Sequence, residues 1–173
     1  IVHIDGNDIG DRFNKTKNLL DIRKLSWEIS QSLHESFGIL LKHIISNFEE
    51  IQYSLGFNDS RKKKYPVDRG CYILPIRPIV LAGDDITFVC DGKLGIYFAK
   101  ILIEAWQKKI DKLTACAGIA IIKTKYPFYR GYQLAEELCQ NAKKHRKKGI
   151  KETAEDSSWL DFHISYGGVS GSL

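Results

Sequence analysis

The chain is 173 residues long, 43% hydrophobic and 27% charged, with a formal net charge of +5. That is the composition of one globular domain large enough to bury a core. No apolar run approaches the ~20 residues of a membrane span and no signal peptide is visible, which together predict a cytoplasmic protein without membrane attachment. Cys71, Cys90, Cys116 and Cys139 stand far apart with no CxxC pair. They read as buried thiols in reducing surroundings, not as a zinc site or a disulfide frame. There is no Met anywhere in the chain, and a strand opens at Ile1. The expectation is a chain trimmed from, or beginning inside, a longer protein.

In chain order, Ile1 to Asp5 reads as a short buried strand. From about Asn18 a helical pattern takes over: Ile29, Leu33, Phe37, Leu41, Ile44, Ile45 and Phe48 fall at steps of three and four on one amphipathic face. This helix is expected to end near Tyr53 to Gly56. Asn58 to Gly70 is polar, basic and broken by Pro66, hence a loop. The runs leading into Leu81 and out of Ile86 read as two strands joined by a tight turn at Gly83-Asp84-Asp85. Leu94 to Lys109 restores helical spacing, and Thr114 to Ile122 is almost continuously apolar, as a central strand is. Pro127 precedes a third helix with Leu134, Leu138 and Ala142 on one face. Ser157 to Ile164 alternates weakly as a last strand. Residues 1–166 are expected to form one domain, and 167–173 a flexible tail.

The first six elements give βαββαβ, an α+β, ferredoxin-like antiparallel sheet with helices mainly on one face. In that topology the first strand lies beside the central hairpin. Asp5 and the Asp84-Asp85 turn are then expected to meet at the sheet's edge. Two carboxylate clusters on adjacent strand ends suit a magnesium–nucleotide site, because that hard cation takes oxygen ligands and keeps places for phosphate.

The basic runs Arg61 to Lys64 and Lys143 to Lys148 suit phosphate or nucleic acid. The first reads better as a solvated loop. Each acidic cluster also has a bland reading as a solvated turn, since Asp-Gly and Asn-Asp are ordinary turn formers. It is their combination in this order that favours a metal site. Asp11 and Arg12 read as surface residues. His3, His34, His43 and His163 lack a partner pattern and read as structural. Tyr126, Phe128, Tyr129 and Tyr132 read as a core or helix-entry cluster in preference to a base-stacking surface.

A strand ending in Asp, a Gly-Asp-Asp hairpin and a late helix carrying Ala142-Lys143 resemble the palm and GGDEF cyclase superfamily. Within it the chain is most similar to the second palm domain of the large polymerase–cyclase subunit of type III CRISPR complexes. The segments Ile4 to Gly10, Leu81 to Ile86, Ala117 to Ile122 with Lys125 to Phe128, and Leu134 to Lys144 carry the resemblance. The DGND start is also similar to that of small stand-alone CRISPR-type polymerases. The resemblance implies ATP or another nucleoside triphosphate as substrate, two Mg²⁺ or Mn²⁺ ions, and cyclic or short oligonucleotide signals in antiviral defence as products. It implies catalytic and metal roles for Asp5, Asp84 and Asp85 and a phosphate role for Lys143. The family's double-glycine hairpin is Ala82-Gly83 here.

On that reading the Gly6 carbonyl offers a further metal ligand, and Lys144 assists Lys143 on the phosphates. Asn7 and Asp8 stand where the chain turns into the first helix, near a dipole end that favours phosphate, unless Asp8 caps the helix. Gly83 shapes the nucleotide side of the turn. Partners are a second copy of the chain or other CRISPR-type subunits, and RNA activation is left open. Two competitors remain. A haloacid-dehalogenase phosphatase needs an acid where Asn7 stands and a parallel fold. A catalytically weak nucleotide sensor or assembly module keeps the same fold and residues.

Overall fold

A computed structural model describes residues 1–56, 67–68 and 71–165. The Arg61 to Lys64 run, most of the Asn58 to Gly70 loop and the 167–173 tail lie outside the described residues. The strands are β1 (Val2–Gly6), β2 (Val67–Asp68), β3 (Cys71–Tyr72), β4 (Ile76–Ala82), β5 (Asp85–Cys90), β6 (Ala115–Ile121) and β7 (Trp159–Ile164). The helices are α1 (Ile9–Lys15), α2 (Leu19–Ser46), α3 (Phe48–Ser54), α4 (Gly95–Gln107) and α5 (Phe128–Thr153).

The main sheet runs β4-β5-β1-β6-β7, and β2 pairs with β3 in a separate two-stranded ribbon. β1 is antiparallel to both β5 and β6, and β4 is antiparallel to β5. With α2 between β1 and the hairpin and α4 between β5 and β6, this is the expected βαββαβ arrangement. β7 then adds in parallel to β6, so the sheet is mixed where an antiparallel one was expected. Such a parallel addition needs a crossover, and α5 supplies it.

The period-two alternation of strands sorts the two faces. Val2, Ile4, Ile86, Phe88, Ala117 and Ile119 point to one face, where α2 and α4 cover them in the main core. Trp106 of α4 is fully buried there, and its indole N–H donates to Ser32 Oγ of α2 at 2.9 Å. Each fully buried side chain of this kind contributes about 2–3 kcal/mol. His3, Asp5, Thr87 and Asp85 occupy the opposite face, because they alternate with the core residues of β1 and β5.

α5 packs on that second face through Leu134, Ala135 and Leu138 against Ala120, and through Cys139 and Ala142 against Cys116. Gly118 permits the contact: a Cβ there would stand 1.9 Å from the Ala135 carbonyl oxygen. Cys116 and Cys139 are buried as expected, and burial pushes the Cys139 thiol up to about 12.

One helix differs from the sequence reading. The helix expected to run unbroken from about Asn18 starts with Asn18 as its cap, whose side chain accepts from the Leu20 N–H at 2.9 Å. It stops at Ser46, because the Asn47 amide donates to the His43 carbonyl at 2.8 Å and the chain restarts as α3. Of the two readings of the aromatic group, core or helix entry, the structure gives the second: Phe128 is 47% and Tyr129 69% exposed at the start of α5. Pro78 sits in β4, at the edge of the sheet, where a missing N–H donor is tolerated.

Candidate active site

β1 carries its polar side chains to the α5 face at its C-terminal end. There Asp5 pairs in register with Asp85, the first residue of β5. The β4–β5 turn is made by Gly83 and Asp84, and Ala82 pairs with Asp85 across it. Gly83 has φ +61°, which glycine adopts without strain. Ala82 is an ordinary strand residue, so the departure from a double glycine leaves the turn intact.

The Gly6 N–H donates to the Asp84 carbonyl at 3.1 Å, which ties the turn to the end of β1. A Cβ on Gly6 would lie 3.0 Å from both Ile9 and Trp106 and 3.3 Å from the Asp84 Cβ, so only glycine lets the two acidic segments approach this closely.

Lys143 reaches the same place from α5, its Nζ donating to Asp5 Oδ2 at 2.6 Å. Half-burial opposes its charge, but the bond to Asp5 outweighs that and the ammonium is held above its usual range. The neighbouring acids are not so well matched. Burial pushes the Asp84 carboxyl up, and the charge of Asp5 adds to the effect. Asp85 is also pushed up by burial, against the pull of His3, with Asp5 and Asp84 adding repulsion. Three carboxylates thus share one ammonium. Among the described residues, Asp85 Oδ1 is shut from solvent and has no hydrogen-bond partner.

His3 belongs to the cluster, although its sequence context gave it a structural role. Ligand atoms of His3, Asp5 and Asp85 all lie within 4.8 Å of one another. The signal that could have found it is the strand period: residue 3 shares a face with residue 5. Tyr132 of α5 meets the His3 ring edge-on with centroids 5.8 Å apart, and Phe128 stacks on Tyr132.

Asn7, Asp8 and Lys144 are not brought into this cluster. Asn7 is buried, its side-chain amide donating to Thr114 Oγ1 at 3.0 Å and its backbone N–H to the Thr114 carbonyl. Asp8 makes no capping bond; its carboxylate pairs with Arg146 instead, and it takes φ +56°. A seven-residue α1 with that entry presents no phosphate cradle. Arg146 is 4% exposed and donates to both carboxylate oxygens of Asp156 at 2.6 Å. Lys144, the next residue round the helix, is exposed in a groove beside Asp161 and Glu137. The basic run of α5 therefore divides by helical period into two inward cations, Lys143 and Arg146, and an exposed remainder.

The fold and this acidic notch define a palm-type, nucleotidyl-cyclase-like domain. Residues 1–151 match the family Cas10/Cmr2, second palm domain, and the chain belongs to that family. It is thus a CRISPR-associated module of the nucleotidyl-cyclase-like kind. The match takes in all three aspartates and Lys143, and ends before β7. No curated protein matches the chain. No helix among the described residues is long and apolar enough to cross a membrane.

Proposed function

We propose that the chain binds a nucleoside triphosphate, ATP by family resemblance, and transfers its nucleotidyl group to a hydroxyl of a second nucleotide to form cyclic or short oligonucleotides. The observation that carries this reading is the register pairing of Asp5 with Asp85 beneath Lys143. The donor set fits Mg²⁺ or Mn²⁺: hard carboxylate oxygens, one of them buried and unpartnered, in a site whose acids repel one another. Bound there, a divalent cation supplies positive charge for the triphosphate and for the attacking hydroxyl.

The chain's own residues do the rest. Asp5, Asp84 and Asp85 hold the cation positions at the ends of paired strands, where backbone hydrogen bonds fix them in advance. Lys143 exchanges Asp5 for a phosphate oxygen, so its charge follows the substrate. The Gly6 carbonyl stands at the end of β1 as a further oxygen donor. Tyr132 and Phe128, on the same face as His3, offer an aromatic edge for the nucleoside.

Among the described residues one group of His, Cys or carboxylate side chains, that of His3, Asp5 and Asp85, is placed to hold a metal. Joining two nucleotides therefore calls for a second copy of the chain or another subunit of the complex.

Pyrophosphate release and product analysis with ATP, GTP, CTP and UTP, in Mg²⁺ and in Mn²⁺, test the proposal. Asp84→Ala and Asp85→Ala are expected to abolish metal-dependent nucleotide binding and turnover together. Nucleotide binding without turnover would favour a sensor, a reading supported by the Lys143–Asp5 contact, which already pairs part of the site's charge. No binding at all would leave a scaffold.

A further inference from the structure

His3 is 4% exposed, and its Nδ1 lies 3.0 Å from Thr87 Oγ1. Its other nitrogen, Nε2, faces Asp85 Oδ1 at 3.8 Å, beyond hydrogen-bond distance. That oxygen is buried and has no hydrogen-bond partner among the described residues. A buried imidazole nitrogen and a buried carboxylate oxygen thus face one another across a gap that neither closes, with Asp5 alongside. Ligand atoms held about 2.1 Å from a cation stand roughly 3.0 Å apart when adjacent and about 4.2 Å when opposite. The 3.8 Å gap equals neither distance but lies less than about 1 Å from both, and the three atoms, all within 4.8 Å of one another, need carboxylate movements of that order to close on one ion.

The hydroxyl of Thr87 completes the arrangement. In the tautomer with its proton on Nδ1, the ring donates to Thr87 Oγ1, which leaves the Nε2 lone pair free and fixes the ring, as the outer partner of a metal-binding histidine does.

We propose that His3 Nε2 is a protein ligand of the cation held by Asp5 and Asp85, and that this nitrogen biases the site from Mg²⁺ toward Mn²⁺. Mg²⁺ demands oxygen donors in strict octahedral geometry. Imidazole suits first-row transition ions, whose affinity for nitrogen exceeds that of the alkaline earths. The inference rests on the cation reading of Asp5 and Asp85 given above, and goes beyond it in ligand and in ion.

The test is Mn²⁺ binding to the full chain without nucleotide, followed by electron paramagnetic resonance, with Mg²⁺ as competitor. In the unaltered protein the bound Mn²⁺ is expected to show hyperfine coupling to one directly bound ¹⁴N, a result that needs no variant to fold. In His3→Gln the nitrogen coupling disappears and the preference for Mn²⁺ over Mg²⁺ falls about tenfold. Thr87→Val, which keeps the ring but frees its Nδ1, weakens the preference by a smaller factor. Mn²⁺ bound through oxygen alone, with selectivity unchanged in His3→Gln, would overturn this inference and leave the carboxylate site standing. Failure of either ion to bind, or binding indifferent to Asp85→Asn, would overturn both.

Discussion

Two aspartates three residues apart, Asp5 and Asp8, each meet a base of α5, and those bases, Lys143 and Arg146, are also three residues apart. The pairs look alike and do opposite work. Arg146 is buried and satisfies Asp8 and Asp156 together, while Thr114 Oγ1 donates to Asp156 as well. Both acids are held below the ordinary carboxylate range by the guanidinium. That cluster is closed, and it ties the β1–α1 turn to α5 and to the entry of β7. Around Lys143 there are more carboxylates than cations, and Asp84 and Asp85 are pushed up. An excess of buried negative charge costs stability and is retained where a ligand repays it. One pair stabilises the fold; the other leaves charge available for a cation.

The broadest way to break the comparison is to move the helix that both pairs share. Gly118→Ala forces α5 off β6, with an expected loss of about 3 kcal/mol or more, visible in chemical denaturation. Both clusters fail together in that variant. Next, Arg146→Ala leaves two partly exposed acids without their cation, and about 2–3 kcal/mol of stability is expected to go. Its Mn²⁺ or Mg²⁺ affinity, read by titration calorimetry, stays within about twofold.

Lys143→Gln has the opposite profile. Triphosphate binding weakens about tenfold, while the bare cation binds several-fold tighter because nothing competes for Asp5. Lys144→Gln, exposed in its own groove, changes neither by more than about twofold and is the control.

The smallest effect is on pH dependence. Asp84 and Asp85 have raised folded-state values, so their contribution is complete below the ordinary carboxylate value of 3.8 and lost as pH rises through the raised values. Asp8 and Asp156 have lowered values, so theirs is present above 3.8 and lost as pH falls through the lowered ones. Stability is therefore expected to gain from Asp84 and Asp85 as pH falls through their raised values toward 3.8, and to be lost again as pH falls through the lowered values of Asp8 and Asp156. Asp85→Asn flattens the first limb and leaves the second, which thermal unfolding across the range would read.

Much of the scaffold was legible along the chain. Apolar periods of two and of three to four located β1, the β4–β5 hairpin, α4, β6, α5 and β7, because burial on one face imposes those periods. The order of elements then put Asp5 beside the Gly83-Asp84-Asp85 turn. The break at Asn47 was hidden because the hydrophobic pattern runs through it, and only a side-chain bond to the preceding turn ends the helix. The aromatic residues around the start of α5 left core and helix entry both open, because composition reports apolarity, not whether another layer covers it.

Within the site, the sequence by itself put the three acids at a strand end and an adjoining turn, positions that follow from local rules, whereas Lys143 was singled out by family resemblance. Which of six consecutive basic or near-basic residues faces inward, which aspartate is spent on an arginine, and that His3 stands against Asp85 were decided by the tertiary structure. Those outcomes depend on how α5 is docked across β6 and β1, and the ion pairs that result, Lys143–Asp5 and Arg146–Asp8, join residues more than a hundred positions apart. No local pattern encodes such a distance, because only packing brings the partners within reach of one another.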